Sequence, residues 1–100
     1  MKIIVEQQAD TIVAKLQGRL DTAAAQEVMP DMQQLAQQAD KHIILDCEEL
    51  QYISSSGLRL FLTLRKESAA KSGKLQVRNI TPDVQQVFMM TGFISLFDII

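Results

Sequence analysis

Short β-branched runs take turns with longer stretches of three- and four-residue apolar period, all within 100 residues. That alternation constrains the chain more than any other feature. Strands separated by helices pair in parallel, because a parallel pair needs a crossover long enough to hold a helix. "KIIVEQQ" and "TIVAKLQG" read as two strands, with a tight turn at Ala9-Asp10 making them a hairpin. In the second run Ile12, Ala14 and Leu16 alternate with Val13, Lys15 and Gln17, which gives one wetter face, and Gly18 is expected to end it. "DTAAAQEVMPDMQQLAQQAD" then carries an apolar stripe of Ala25, Val28, Met29, Met32, Leu35, Ala36 and Ala39, with Asp21 or Thr22 as its cap. Pro30 removes a backbone donor inside that stripe, so a kink or two shorter helices are expected.

"KHIILDC" is a short apolar run, the pattern of a buried central strand, and "EELQYIS" reads as the connector after it. "SSGLRLFLTLRKESAAKSG" reads as a second helix, capped by serine and stopped by Gly73. Leu58, Phe61, Leu62 and Arg65 line one side of it, and Leu60 and Leu64 widen that face enough to lie across a sheet. "KLQVRNI" is another strand. Thr81 caps a third helix, with Pro82 in its first position and Asp83 complementing its dipole, and this helix runs through "DVQQVFMM" to Gly92. "LFDII" reads as a last short strand. The order β β α β α β α β implies one α/β domain over residues 1–100, with a small mixed sheet whose central strands are parallel.

Several function classes find little support. A net charge of −2 argues against a general nucleic-acid binder. Residues 1–50 carry nine acids and four bases, and residues 51–100 three acids and six bases, a polarity that reads as solvated surface. The single cysteine, Cys47, allows no internal disulfide and reads as a small buried hydrophobe. No apolar stretch approaches the roughly 18–20 residues of a membrane span, and no signal peptide is evident, so a cytoplasmic protein is expected. The only histidine, His42, stands at the entry of a strand. Asp46, Glu48 and Glu49 form an acidic knot that could hold a hard cation but reads more simply as a solvated turn. Tyr52 is expected to pack at the base of the following loop. Phe88, Met89, Met90 and Phe93 read as core and helix surface, of which an exposed part could dock a partner. No phosphate-binding glycine loop or metal-ligand cluster appears, and no covalent cofactor is indicated.

The three serines of "QYISSSGLRL" ask for more than a cap. One hydroxyl, from Ser54 or Ser55, suffices to cap the helix, a contribution of about 1 kcal/mol. The others fall in the first turn, where unpaired backbone N–H groups and the positive end of the dipole tolerate a phosphate. Gly57 places no side chain beside Ser56, which would let a kinase or a partner approach closely. A phosphate on Ser56 would add about two negative charges there and act on binding rather than on folding.

At these residues the chain resembles the STAS domains of the anti-sigma factor antagonist type. "GRLDTAAAQE", "IILDC", "YISSSGLRLFLTL" and "VFMMTGFISLFDI" carry the resemblance, which spans nearly the whole chain. It implies a small sheet with helices packed mainly on one face. It implies as partners an anti-sigma factor with serine kinase activity and a metal-dependent serine phosphatase. The phosphorylated serine, just before the motif glycine, maps to Ser56. Ser55 and Gly57 match the motif and, with Ser54, would belong to the partner-facing surface, together with Asp21, which matches the aspartate of the family's G-x-L-D turn; Arg59, on the same helix, could pair with an acidic partner or simply be solvated. The family's loop usually reads D-S-S-G, and here Ser54 stands in place of the aspartate. The chain stops straight after "FDII", where many relatives run several residues further. Two other readings stay open. One is a STAS subunit of a membrane transport system or of a stress-sensing assembly, without a phospho-switch. The other is a serine hydrolase acting through Ser55 or Ser56.

Overall fold

The computed structural model describes residues 1–100. Its elements follow as β1 (Lys2–Gln8), β2 (Thr11–Leu20), α1 (Thr22–Glu27), α2 (Met29–Gln37), β3 (His42–Ile53), α3 (Ser55–Ala70), β4 (Lys74–Arg78), α4 (Pro82–Thr91) and β5 (Asp98–Ile99). A 3-10 turn, Phe93–Ser95, precedes the last strand. The hairpin forms across Ala9-Asp10, with Gln8 opposite Thr11. From β2 onward every neighbouring pair is parallel, so the sheet order β1-β2-β3-β4-β5 reverses only its first strand.

Strand alternation decides where the core lies. Ile12, Ala14 and Leu16 of β2, Ile43, Leu45 and Cys47 of β3, and Val77 of β4 all turn to one face. There they are buried with Met32, Leu35, Leu58, Phe61, Leu64, Val84 and Phe88 from the helices. Burying each such large side chain contributes about 1.5–3 kcal/mol. Phe61 meets Phe88 and Phe97 edge-on, with ring centroids 6.1 and 6.2 Å apart. The opposite face of the sheet carries no helix. Lys15, Asp46 and Arg78 are register neighbours across it.

Pro30 resolves as two helices. Val28 ends α1 and precedes α2, and Pro30 sits in the first turn of α2, where its missing N–H has no intrahelical role. Thr81 caps α4 as expected, accepting from the Val84 N–H. Phe88 is fully buried and Phe93 packs against the core, while Met89 and Met90 face outward.

Three expectations of where strands and helices end are corrected. Gly18 does not end β2; the strand continues to Leu20, with a shift of register between Gly18 and Arg19. "EELQYIS" is no connector but the second half of β3. Glu49, Leu50, Tyr52 and Ile53 pair with Gln17, Gly18, Arg19 and Leu20 of β2, and the Gln17 side-chain amide donates to the Glu49 carboxylate. Gly73 does not supply the left-handed residue that terminates α3. Ser72 does so at φ 58°, and the Gly73 N–H then returns to the Ser68 carbonyl at 2.8 Å. Glycine at 73 is needed for space instead, since a Cβ there would lie 1.8 Å from the Ala39 carbonyl oxygen.

Within α3, Leu58, Phe61 and Leu64 face the core as expected. Arg65 does not line that face. It is exposed, and its Nε–H donates to the Leu96 carbonyl.

Candidate functional site

Strands β2 and β3 end side by side, and each feeds a helix. Leu20 and Ile53 are register partners, and the Ser54 N–H donates to the Leu20 carbonyl at 2.9 Å. The next residue of each strand caps its helix. Asp21 Oδ1 accepts from the Ala24 N–H at 2.8 Å, and Ser54 Oγ accepts from the Gly57 N–H at 3.2 Å. Both caps have the extended backbone that this role requires. Ser54 rather than Ser55 is therefore the cap of α3.

With the cap assigned, two hydroxyls remain. Ser55 is exposed and Ser56 half-buried, and neither side chain hydrogen-bonds within the protein. Asp21 is exposed on the adjoining cap, so the paired strand ends bring Asp21, Ser54, Ser55 and Ser56 to one rim of the sheet. Arg59 lies exposed one turn further along α3.

Gly57 has a different role from the one expected. It is buried, and a Cβ on it would stand 2.7 Å from Leu20 Cγ and 2.9 Å from Ile53 Cγ1. Its missing side chain lets α3 settle on the strand ends and opens no space for a partner. Tyr52 is also misplaced by sequence reasoning. It is 38% exposed rather than packed beneath the loop, and the Arg19 guanidinium lies over its ring, 4.6 Å from the centroid. Arg19 went unnoticed in the sequence. The available signal was positional: Arg19 and Tyr52 each precede a cap by two residues, on strands that pair.

The acidic knot comes apart. It lies within β3, not in a turn, and Asp46 is almost wholly buried on the helix-free face. Its Oδ2 accepts from Arg78 Nε and Nη2 at 3.2 and 3.1 Å, and its Oδ1 from Asn79 Nδ2 and the Glu48 N–H at 3.2 and 3.1 Å. Burial alone would raise the Asp46 pKa. The Glu48 N–H, Asn79 and Arg78 outweigh it and hold the carboxyl below the usual aspartate value. Glu48 is exposed and Glu49 is held by Gln17, so the three acids do not converge on one point. Burial, assisted by the Asp46 charge, pushes the Cys47 thiol up to about 12.

His42 begins β3 and Ser54 follows its end, so the imidazole stands a whole strand away from the serines. It is committed elsewhere. Gln76 Nε2 donates to Asp98 at 2.9 Å, which turns Gln76 Oε1 toward the imidazole to accept from Nε2–H at 2.6 Å. None of the three concavities of the surface is lined by Ser54, Ser55 or Ser56. The largest, about 420 Å³, opens on the helix-free face among Glu6, Lys15, Gln17, Asp46, Glu49 and Arg78. The serine rim is an open surface of free hydroxyls and charge, a shape suited to a protein partner rather than an enclosed small molecule.

Comparison with known proteins shows the family and the fold. The profile of the STAS domain matches residues 2–100. BtrV, a candidate anti-sigma factor antagonist of Bordetella bronchiseptica, is 30% identical over 99 residues, covering 99% of this chain and 85% of BtrV. The anti-sigma F factor antagonist of Paenibacillus polymyxa is 28% identical over 100 residues, covering 99% of this chain and 86% of its own. Among solved structures, the anti-sigma factor antagonist SpoIIAA in its unphosphorylated form superposes with a TM-score of 0.79 at 25% identity, covering 99% of this chain and 88% of that one. The phosphorylated form of the Bacillus cell fate determinant SpoIIAA gives 0.73 at 26% identity, covering 99% and 91%.

Proposed function

The chain belongs to the STAS domain family, and on that premise we propose that it acts as an anti-sigma factor antagonist whose binding is gated by phosphorylation of Ser56. The observation that carries this reading is the division of labour among the serines. Ser54 satisfies the helix, which leaves Ser55 and Ser56 with hydroxyls that the fold does not use. The names of the relatives, and the existence of SpoIIAA in phosphorylated and unphosphorylated forms, support it.

In this mechanism the unmodified rim of Asp21, Ser54, Ser55, Ser56 and Arg59 docks on an anti-sigma factor that is also a serine kinase. The kinase transfers the γ-phosphoryl group of ATP to Ser56 Oγ, releasing ADP and the hydroxyl proton. A metal-dependent phosphatase returns the serine by hydrolysis, with inorganic phosphate as the second product. The phosphate adds about 1.5–2 negative charges in the first turn of α3, where the dipole and the free N–H groups accept it without loss of the helix. Docking is then opposed by charge and by bulk, while the fold stays as it was.

The experiment is affinity capture from lysate of the source organism with three baits: wild type, Ser56→Ala and Ser56→Asp. The reading expects wild type and Ser56→Ala to retain an ATP-binding anti-sigma protein, identified by mass spectrometry, and Ser56→Asp to lose it. Capture of that protein by all three baits, or by none, counts against it and leaves Ser56 without a gating role.

A further inference from the structure

Three of the four arginines are engaged within the fold. Arg19 lies over Tyr52, Arg65 Nε donates to the Leu96 carbonyl, and Arg78 holds Asp46. Arg59 is the exception: it is exposed and makes neither a hydrogen bond nor an ion pair. It follows Ser56 by three residues in α3, and side chains at that spacing share one helix face. An unused cation thus stands one turn below an unused hydroxyl.

Resting on the reading of Ser56 as the phosphorylated residue, we propose that Arg59 is the internal partner of that phosphate. The guanidinium presents a planar fork of donors that matches phosphate oxygens, and a charge-assisted pair of this kind is stronger than a neutral hydrogen bond. In the unmodified protein Arg59 is free to meet an acidic surface on the partner. In the modified protein it is turned onto the phosphate. Phosphorylation then changes the rim twice, adding an anion and withdrawing the one cation that α3 offers there. The two effects act in the same direction, against an acidic partner. The pair also holds the phosphate against the helix, which keeps α3 intact in the inhibited form.

The test uses the full chain with phosphoserine installed at position 56 by codon reassignment, so no kinase is needed. The second ionisation of the phosphate, ordinarily near pH ~6, is followed by phosphorus NMR in three backgrounds: Arg59, Arg59→Gln and Lys66→Gln. The contribution of the helix N-terminus is common to all three. Lys66 is exposed and lies ten residues from Ser56 on the same helix, a control for general field effects. The pair predicts a pKa higher by roughly 0.3 unit or more in Arg59→Gln, with Lys66→Gln unchanged. No shift in Arg59→Gln, or an equal shift in Lys66→Gln, overturns it. Failure of the functional reading looks different: the titration difference persists, while phosphorylation leaves the affinity for the anti-sigma partner unaltered.

Discussion

Gly57 of α3 rests on Leu20 of β2 so closely that a Cβ at position 57 would come within 2.7 Å of Leu20 Cγ. Ile53 Cγ1 closes the other side at 2.9 Å. This contact fixes the height of the first turn of α3, and so the position of the three serines relative to Asp21. The rim is a consequence of packing beneath it.

Gly57→Ala therefore forces Leu20, Ile53 or the helix itself to move. The expected loss is about 1–3 kcal/mol of stability, read as a lower denaturant midpoint with an unchanged slope. Partner binding should weaken as well, because the serines are displaced. An unchanged midpoint would mean that the strand ends yield freely.

The serines should separate by stability. Ser54→Ala removes the acceptor for the Gly57 N–H and is expected to cost about 1 kcal/mol. Ser55→Ala and Ser56→Ala remove hydroxyls with no partner and should stay within about 0.5 kcal/mol of wild type. Thermal melts of the three variants check the order. A larger loss in Ser56→Ala than in Ser54→Ala would reverse the assignment of the cap.

Asp46 should make the fold sensitive to acid. Its folded pKa lies below the ordinary aspartate value of 3.8, so its stabilising contribution is complete above that value and is lost as pH falls through the folded pKa. Asp46→Asn leaves Arg78 and Asn79 without the carboxylate and is expected to cost about 1–3 kcal/mol at neutral pH. Stability of the two proteins should converge on acidification below the ordinary value. Denaturant titrations at neutral and acid pH measure this, and a constant difference between them would contradict it.

Cys47 should be inert in the native state. The thiol is fully buried and its pKa is pushed up to about 12, so almost no thiolate exists at neutral or mildly basic pH. A disulfide reagent at pH ~8 is expected to react only as fast as the protein unfolds. Rapid labelling without denaturant would show that β3 opens locally.

Much of this architecture is legible in the sequence, because its signals are local. The hairpin at Ala9-Asp10, the break at Pro30, the Thr81 cap and the short strand before the last residue all follow from neighbouring letters. What escaped depends on distant partners. Glu48-Glu49 looks like a solvated turn until β2 is placed beside it, where Gln17 holds Glu49 and the strand simply continues. A glycine letter does not say whether it supplies a dihedral angle or a space. Gly73 and Gly57 both turn out to supply space, against Ala39 and Leu20. Asp46 reads as one of three exposed acids, because the Arg78 and Asn79 that bury it arrive with a later strand. At the candidate site the three serines and Asp21 were visible as capping chemistry. The strand pairing that sets them side by side, and sets Arg19 over the Tyr52 ring, was not.

The phospho-switch requires that a phosphate at position 56 change binding without changing the fold. The most direct measurement is calorimetric titration of the anti-sigma partner with the unmodified chain and with the chain carrying phosphoserine at 56, alongside circular dichroism of both. Superimposable spectra and an affinity weaker by about tenfold or more are expected for the phosphorylated chain. Equal affinities with identical spectra would contradict the switch.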